Sequence, residues 1–146
     1  MESQYKLHLG NTKNVLDNMI EDGETVDMIF TSPPYFAFRK NYSGNDDGEV
    51  GSIHVDDYAD WFLEFTDRFL KVLKPNGVIN LKTDSEFMHG YTLGLLHGEG
   101  HQVLYANHNV YRNEGSPDEV TAIQTFYERQ YLEQNKPITY IRFKIK

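Results

Sequence analysis

Residues Val26–Tyr35 read VDMIFTSPPY, and the reading of this stretch decides the fold. Val26, Met28, Ile29 and Phe30 suit a buried strand, with Asp27 as the polar exception. Pro33 and Pro34 then stop the strand and fix the backbone. The outcome is a stiff loop at the carboxyl end of a strand, closed by the ring of Tyr35. In an open α/β sheet, ligands bind at that edge.

The loop's chemistry suits the grip of an exocyclic amino group. Ser32 offers a hydroxyl, and Pro33, which has no N–H, offers its carbonyl. Tyr35 gives a flat face for stacking. An amine held by its two hydrogens keeps its lone pair free for a methyl donor. The plainer alternative is a Pro-Pro turn after a core strand with a capping tyrosine, and the residues alone leave both open.

Working outward, the flanking elements fall into an alternating pattern. Tyr5–Leu9 reads as a short opening strand and Thr12–Ile20 as a helix, capped by Asn11 or Thr12 and ended by Gly23. Residues Phe36–Val55 lack a clean period, and at about 20 residues this is long for a purely structural loop. Arg39 and Lys40 lie just past the proposed pocket, where they can meet a phosphate or serve as ordinary surface charge. Asp56–Lys74 is the clearest helix, with Tyr58, Trp61, Phe62, Phe65, Phe69, Leu70 and Leu73 on one side. That stripe reads as core packed on the sheet. Pro75-Asn76-Gly77 reads as a turn and Val78–Leu81 as a second buried strand.

Lys82–Glu86 (KTDSE) follows that strand, so Asp84 and Ser85 either line the pocket or cap the next helix, Glu86–His97. His101–Tyr111 reads as a strand interrupted at Asn107–Asn109. Ser116-Pro117-Asp118-Glu119 predicts a capped helix start, with a helix reaching as far as Glu133. Ile138–Ile145 predicts a last, antiparallel strand.

The length of 146 residues predicts one domain. There is no cysteine, so disulfides and cysteine-rich zinc sites are excluded. The six histidines have no metal-ligand spacing, and no metal site is expected. No apolar run approaches the length of a membrane span, which predicts a soluble cytoplasmic protein with no membrane partner. The net charge of −8 works against phosphate binding unless a local basic patch or a basic partner intervenes.

The pieces LHLGNTKNVLDNM, VDMIFTSPPYFAFRKNY and DGEVGSIHVDDYADWFLEFTDRFLKVLKPNGVINLKTDS, within residues 7–85, resemble the DNA amino-methyltransferases. These modify cytosine N4 or adenine N6, and the likeness is to the permuted group in which the catalytic motif comes first. The resemblance implies an α/β fold, a Rossmann-like methyltransferase half-domain. Its sheet would be mostly parallel, flanked by helices, with a C-terminal antiparallel strand. It implies that Ser32, Pro33, Pro34 and Tyr35 are catalytic, with Tyr35 stacked on a base flipped from double-stranded DNA. Serine at the first position favours cytosine over adenine. Asn11 stands where many members carry Asp near S-adenosylmethionine, and Asp84 is a second cofactor candidate. Arg39, Lys40 and Tyr42 are the nucleic-acid candidates.

Two departures qualify that expectation. No Phe-x-Gly-x-Gly donor loop appears from Leu104 to Lys146, and there is no recognition domain. The chain therefore reads as one truncated catalytic domain that binds the donor weakly or not at all alone. A second copy or a complementary subunit would supply the missing donor site and recognition domain, unless a local rearrangement of the chain replaces the missing half. The expected activity is DNA amino-methylation within restriction-modification. The alternatives are a degenerate binding or regulatory protein, and a methyltransferase-like enzyme acting on a non-DNA substrate.

Overall fold

The computed structural model describes residues 6–33 and 55–146. They fall in two compact units, one within residues 1–26 and 34–74, the other made of 27–33 and 75–146.

The first unit pairs two helices, α1 (Thr12–Glu21) and α2 (Val55–Val72). Asn11 caps α1, its side-chain oxygen accepting from the Lys13 N–H at 2.9 Å. Gly23, at φ 67°, ends it, and the amides of Gly23 and Glu24 bond back to Ile20 and Met19. Arg68 of α2 grips Asp17 of α1 with a two-pronged fork, at 2.8 and 3.0 Å. Lys13 reaches Glu64 at 2.6 Å and lies over the Phe65 ring at 5.6 Å. On α2 the rings of Trp61 and Phe65, one turn apart, meet at 4.7 Å.

The expected strand at Tyr5–Leu9 does not form over the described residues 6–9. Leu7 and Leu9 stand exposed. Lys6 is tied instead to Glu24 at 2.7 Å.

The second unit is a four-stranded sheet with helices. Its elements are β1 (Val26–Thr31), β2 (Leu73–Thr83), α3 (Glu86–Gly98), β3 (Gln102–Asn107), α4 (Asp118–Thr121), α5 (Phe126–Glu133) and β4 (Thr139–Lys144). The strand order is β1-β2-β4-β3. β4 runs antiparallel to both neighbours, from Ile79↔Phe143 to Thr83↔Thr139 on one side and Gln102↔Lys144 to Asn107↔Tyr140 on the other. The expected antiparallel last strand is present, but the sheet is mixed rather than mostly parallel. The reason is positional: β4 returns through the middle and separates β2 from β3. Those two strands consequently share one direction, and their carboxyl ends share one edge.

Three local expectations change. Strand β2 is assigned from Leu73, through Asn76 at φ 66°, so the turn chemistry of Pro75-Asn76-Gly77 sits inside the strand. Strand β1 is not buried: it lies at the edge of the sheet, with Met28 53% and Phe30 47% exposed. The long helix from Ser116 is instead a single turn, α4, and a separate α5. Ser116 does not cap α4, because its hydroxyl takes the Asn107 amide at 3.0 Å. The capping box belongs to Thr125 and Glu128 of α5.

Because directly paired residues share a sheet face, Asn80, Lys82, Tyr140 and Arg142 lie on one side and Ile79, Leu81, Ile141 and Phe143 on the other. Tyr140 and Ile141 are essentially inaccessible. Val110, Val120, Ile138 and Tyr140 form a cluster that ties the β3–α4 connection to β4. Among the described residues, no helix is long and apolar enough to cross a membrane.

Candidate functional site at the carboxyl edge of the sheet

Polar side chains on β2 build the edge from below. The Asn80 amide donates to the Ile29 carbonyl of β1 at 3.1 Å, and its oxygen accepts the Tyr140 hydroxyl at 2.6 Å. One asparagine thus links β1, β2 and β4. The Thr139 hydroxyl donates to the Thr83 carbonyl at 2.8 Å, closing the last rung.

Two residues up from Asn80, Lys82 enters a buried polar hub. Its ammonium pairs with Glu128 of α5. It also donates to the carbonyls of Val120 at 2.6 Å and Ile123 at 3.2 Å. Glu128 accepts the Tyr111 hydroxyl at 2.6 Å and the Thr125 N–H at 3.1 Å. Burial, then the hydrogen bond and charge of Glu128, hold the Tyr111 hydroxyl well above the usual tyrosine range. A buried carboxylate with a buried counter-ion and every acceptor engaged is a brace, and it fixes α4 and α5 over the end of β2.

Past the brace, Ser85 caps α3, its oxygen accepting the Met88 N–H at 3.1 Å. Asp84 sits between brace and helix, half-buried. Partial burial raises its carboxyl above the usual range; a backbone hydrogen bond opposes this and the Glu128 charge adds to it. Asp84 is thus an acidic group on the rim, held in a field that makes it receptive to cationic or N–H partners.

Beside it lies a network from the end of β3. The Asn107 oxygen accepts the Asn109 N–H and the Asn113 amide, both at 2.9 Å. His89, on the first turns of α3, is buried, and burial followed by the nearby His108 lowers its ring below the usual histidine range. Among the described residues, its Nδ1 and the Asn109 Oδ1 are buried without a hydrogen-bond partner.

The residues expected from the sequence are placed unevenly. Ser32 is exposed just past the end of β1, and Pro33 is buried. Pro34, Tyr35, Arg39, Lys40 and Tyr42 lie outside the described residues. Asp84 is on the rim. Asn11 belongs to the other unit, where its side-chain oxygen caps α1. Lys82, Tyr111 and Glu128 were not anticipated. The signal was the Thr125-x-x-Glu128 box, hidden inside a stretch read as continuous helix.

Comparison with known proteins bears on the expected DNA substrate. A family model described as DNA methylase matches residues 26–142. The chain is 72% identical over 83 residues to a tRNA (guanine-N(7)-)-methyltransferase of Christiangramia forsetii, covering 57% of this chain and 37% of that one. It is 38% identical over 129 residues to the protein of the same name in Porphyromonas gingivalis, covering 88% and 46%. It is 28% identical over 88 residues to the type II methyltransferase M.PvuII of Proteus hauseri, covering 60% and 24%. The chain thus spans less than half the length of these curated relatives.

The expectation of a DNA amino-methyltransferase in restriction-modification, with double-stranded DNA and a complementary subunit as partners, is overturned by the tRNA-modifying relatives. That expectation rested on the motifs of residues 7–85. A 129-residue match in a chain of 146 must extend well beyond them. The methyltransferase framework stands, and with it S-adenosylmethionine as the general donor of such families. With the family model matched across most of its length, this chain belongs to the methyltransferase family described as DNA methylase.

Proposed function

We propose that the chain carries the base-facing part of an enzyme that methylates N7 of guanine in tRNA, with S-adenosylmethionine as donor. The observation that carries this is the 72% identity over 83 residues to a protein named for that activity. The rim chemistry is compatible with it.

S-adenosylmethionine supplies a methyl group on a sulfonium. Guanine N7 bears an in-plane lone pair and no hydrogen, so no base has to remove a proton. The protein's task is to orient the ring and to tolerate the positive charge that develops on it. Asp84 suits both. Its carboxylate accepts from the N1–H and N2–H₂ donors that guanine alone presents side by side, whereas cytosine and adenine present a donor next to an acceptor. Its negative charge, with Glu128 behind it, favours a cationic purine. The Lys82–Glu128 brace keeps Asp84 in place as a positioning device. Ser32, Pro33, Pro34 and Tyr35 are proposed to border the same base, with Tyr35 on its face. Arg39, Lys40 and Tyr42 are the proposed phosphate-side contacts.

The test is transfer of labelled methyl from S-adenosylmethionine to unmodified tRNA and, in parallel, to duplex DNA. The expected result is labelling of tRNA alone, with Asp84→Ala abolishing it. Label on DNA and none on tRNA would overturn the reading.

A further inference from the structure

We propose that Arg112 and Lys136 grip a backbone phosphate of the substrate tRNA beside the target guanosine. This rests on the tRNA reading above. The chain carries a net charge of −8, so a polyanion needs a local cationic site to bind against that background.

The two residues come from separate connections that one backbone bond draws together. The Val110 N–H donates to the Ile138 carbonyl at 2.9 Å, which joins the β3–α4 connection to the residue before β4. Arg112 lies two residues past the first partner, and Lys136 two residues before the second. The Arg112 guanidinium then donates to the Asn135 Oδ1 at 3.0 Å. Asn135, at φ 58°, is the left-handed residue that ends α5. Its N–H and that of Lys136 bond back to the Leu132 and Tyr131 carbonyls, both at 2.9 Å. This turn sets Lys136 directly after the residue that Arg112 holds.

The partners of these cations set them apart. Lys6, Lys13, Arg68 and Lys82 are each matched to a carboxylate. Arg112 and Lys136 are held by neutral groups instead: the Asn135 amide oxygen, and the Tyr131 ring, whose centroid lies 4.9 Å from the Lys136 ammonium. An amide or a ring face fixes a cation without cancelling its charge. Both residues are exposed, and among the described residues neither forms an ion pair. Arg112 uses one of its donors on Asn135 and keeps the others for a phosphate oxygen.

Position then ties the pair to the proposed site. Thr83 and Thr139 form the last rung between β2 and β4. Asp84 follows the first, and Lys136 stands three residues before the second. Burial is the main influence on the Asp84 carboxyl, and the Lys136 charge reaches it too, pulling the other way. A nucleotide whose base meets Asp84 thus brings its phosphate to cations on the same rim. Such contacts carry no sequence information; they fix register and orientation.

The experiment measures binding of unmodified tRNA by polarisation across a series of salt concentrations. Arg112→Gln/Lys136→Gln should weaken binding about 10-fold at low salt and lower the slope of log affinity against log salt by about two. Lys136→Gln alone should lower it by about one, which keeps the test open if the double variant does not fold. Arg112→Lys/Lys136→Arg preserves both charges and should keep the native slope, an outcome that a merely structural role does not predict. Lys6→Gln removes a charge from the other unit and should leave affinity and slope unchanged. A native slope in both glutamine variants, an equal loss of slope in the charge-preserving variant, or no tRNA binding by the wild-type chain would overturn the phosphate site. If the slope follows Arg112 and Lys136 but tRNA takes up no methyl group, the functional reading fails and the phosphate site stands.

Discussion

Glu128→Gln tests the brace most sharply. In the native hub the Glu128 side chain is 6% exposed and that of Lys82 9%. The carboxylate neutralises the ammonium, accepts from Tyr111 and accepts from the Thr125 N–H. An amide of the same shape keeps one acceptor oxygen and turns the other into a donor. That donor must face either the Tyr111–Lys82 side or the Thr125 N–H. The substitution therefore removes the counter-charge of a buried cation and at least one hydrogen bond. Removing one partner of a buried pair costs about 3–5 kcal/mol. Lys82 keeps the carbonyls of Val120 and Ile123, which places the expected loss near ~3 kcal/mol, the low end of that range. Against a typical domain stability of about 5–15 kcal/mol, this is a large fraction.

The assay is urea unfolding of Glu128→Gln, Lys82→Met and the Lys82→Met/Glu128→Leu double variant. Each single variant should lose about 3 kcal/mol, and the double should lose much less than the sum because no charge is left unpaired. Tyr111, freed from the Glu128 charge, should titrate at lower pH than in the native protein. A loss below about 1 kcal/mol for Glu128→Gln, the value of a screened surface pair, would refute the brace.

Two further outcomes follow from the edge. Asp84 has a folded pKa raised by burial, so its ionisation opposes folding. Stability from the protonated form is present below the unfolded pKa and is lost as pH rises through the folded value. Asp84→Asn should therefore raise the melting temperature at neutral pH, with the gain shrinking in acid, while abolishing methyl transfer; a loss of stability at neutral pH would contradict this. Tyr140→Phe leaves the buried Asn80 oxygen without its 2.6 Å donor and should cost about 1–3 kcal/mol in urea unfolding, whereas no change would mean that water replaces the hydroxyl.

The helices were legible where caps and periodicity agreed. Asn11 and Gly23 bound α1, Ser85 caps α3, and the stripe from Trp61 to Phe69 runs along α2. Strand arrangement was less legible, because apolar runs do not say which neighbour a strand takes. The insertion of β4 between β2 and β3 is fixed by pairings between residues about 60 apart, such as Leu81 with Ile141. Asp84 was reachable as the residue following a strand. The Lys82–Glu128–Tyr111 hub was not, since its members sit 17 to 46 positions apart and lysine at 82 reads as an ordinary strand end. The substrate was misread because Ser32–Tyr35 dominated the reading. A loop proposed to border an aromatic base carries little information about which ring atom receives the methyl group.

The central claim is the identity of that atom. Digestion of enzyme-treated tRNA to nucleosides, followed by chromatography and mass measurement of the labelled product, reads it directly. The account predicts 7-methylguanosine, formed by the native protein and absent with Asp84→Ala. Label recovered on an exocyclic nitrogen of cytosine or adenine, with guanosine unmodified, would contradict it.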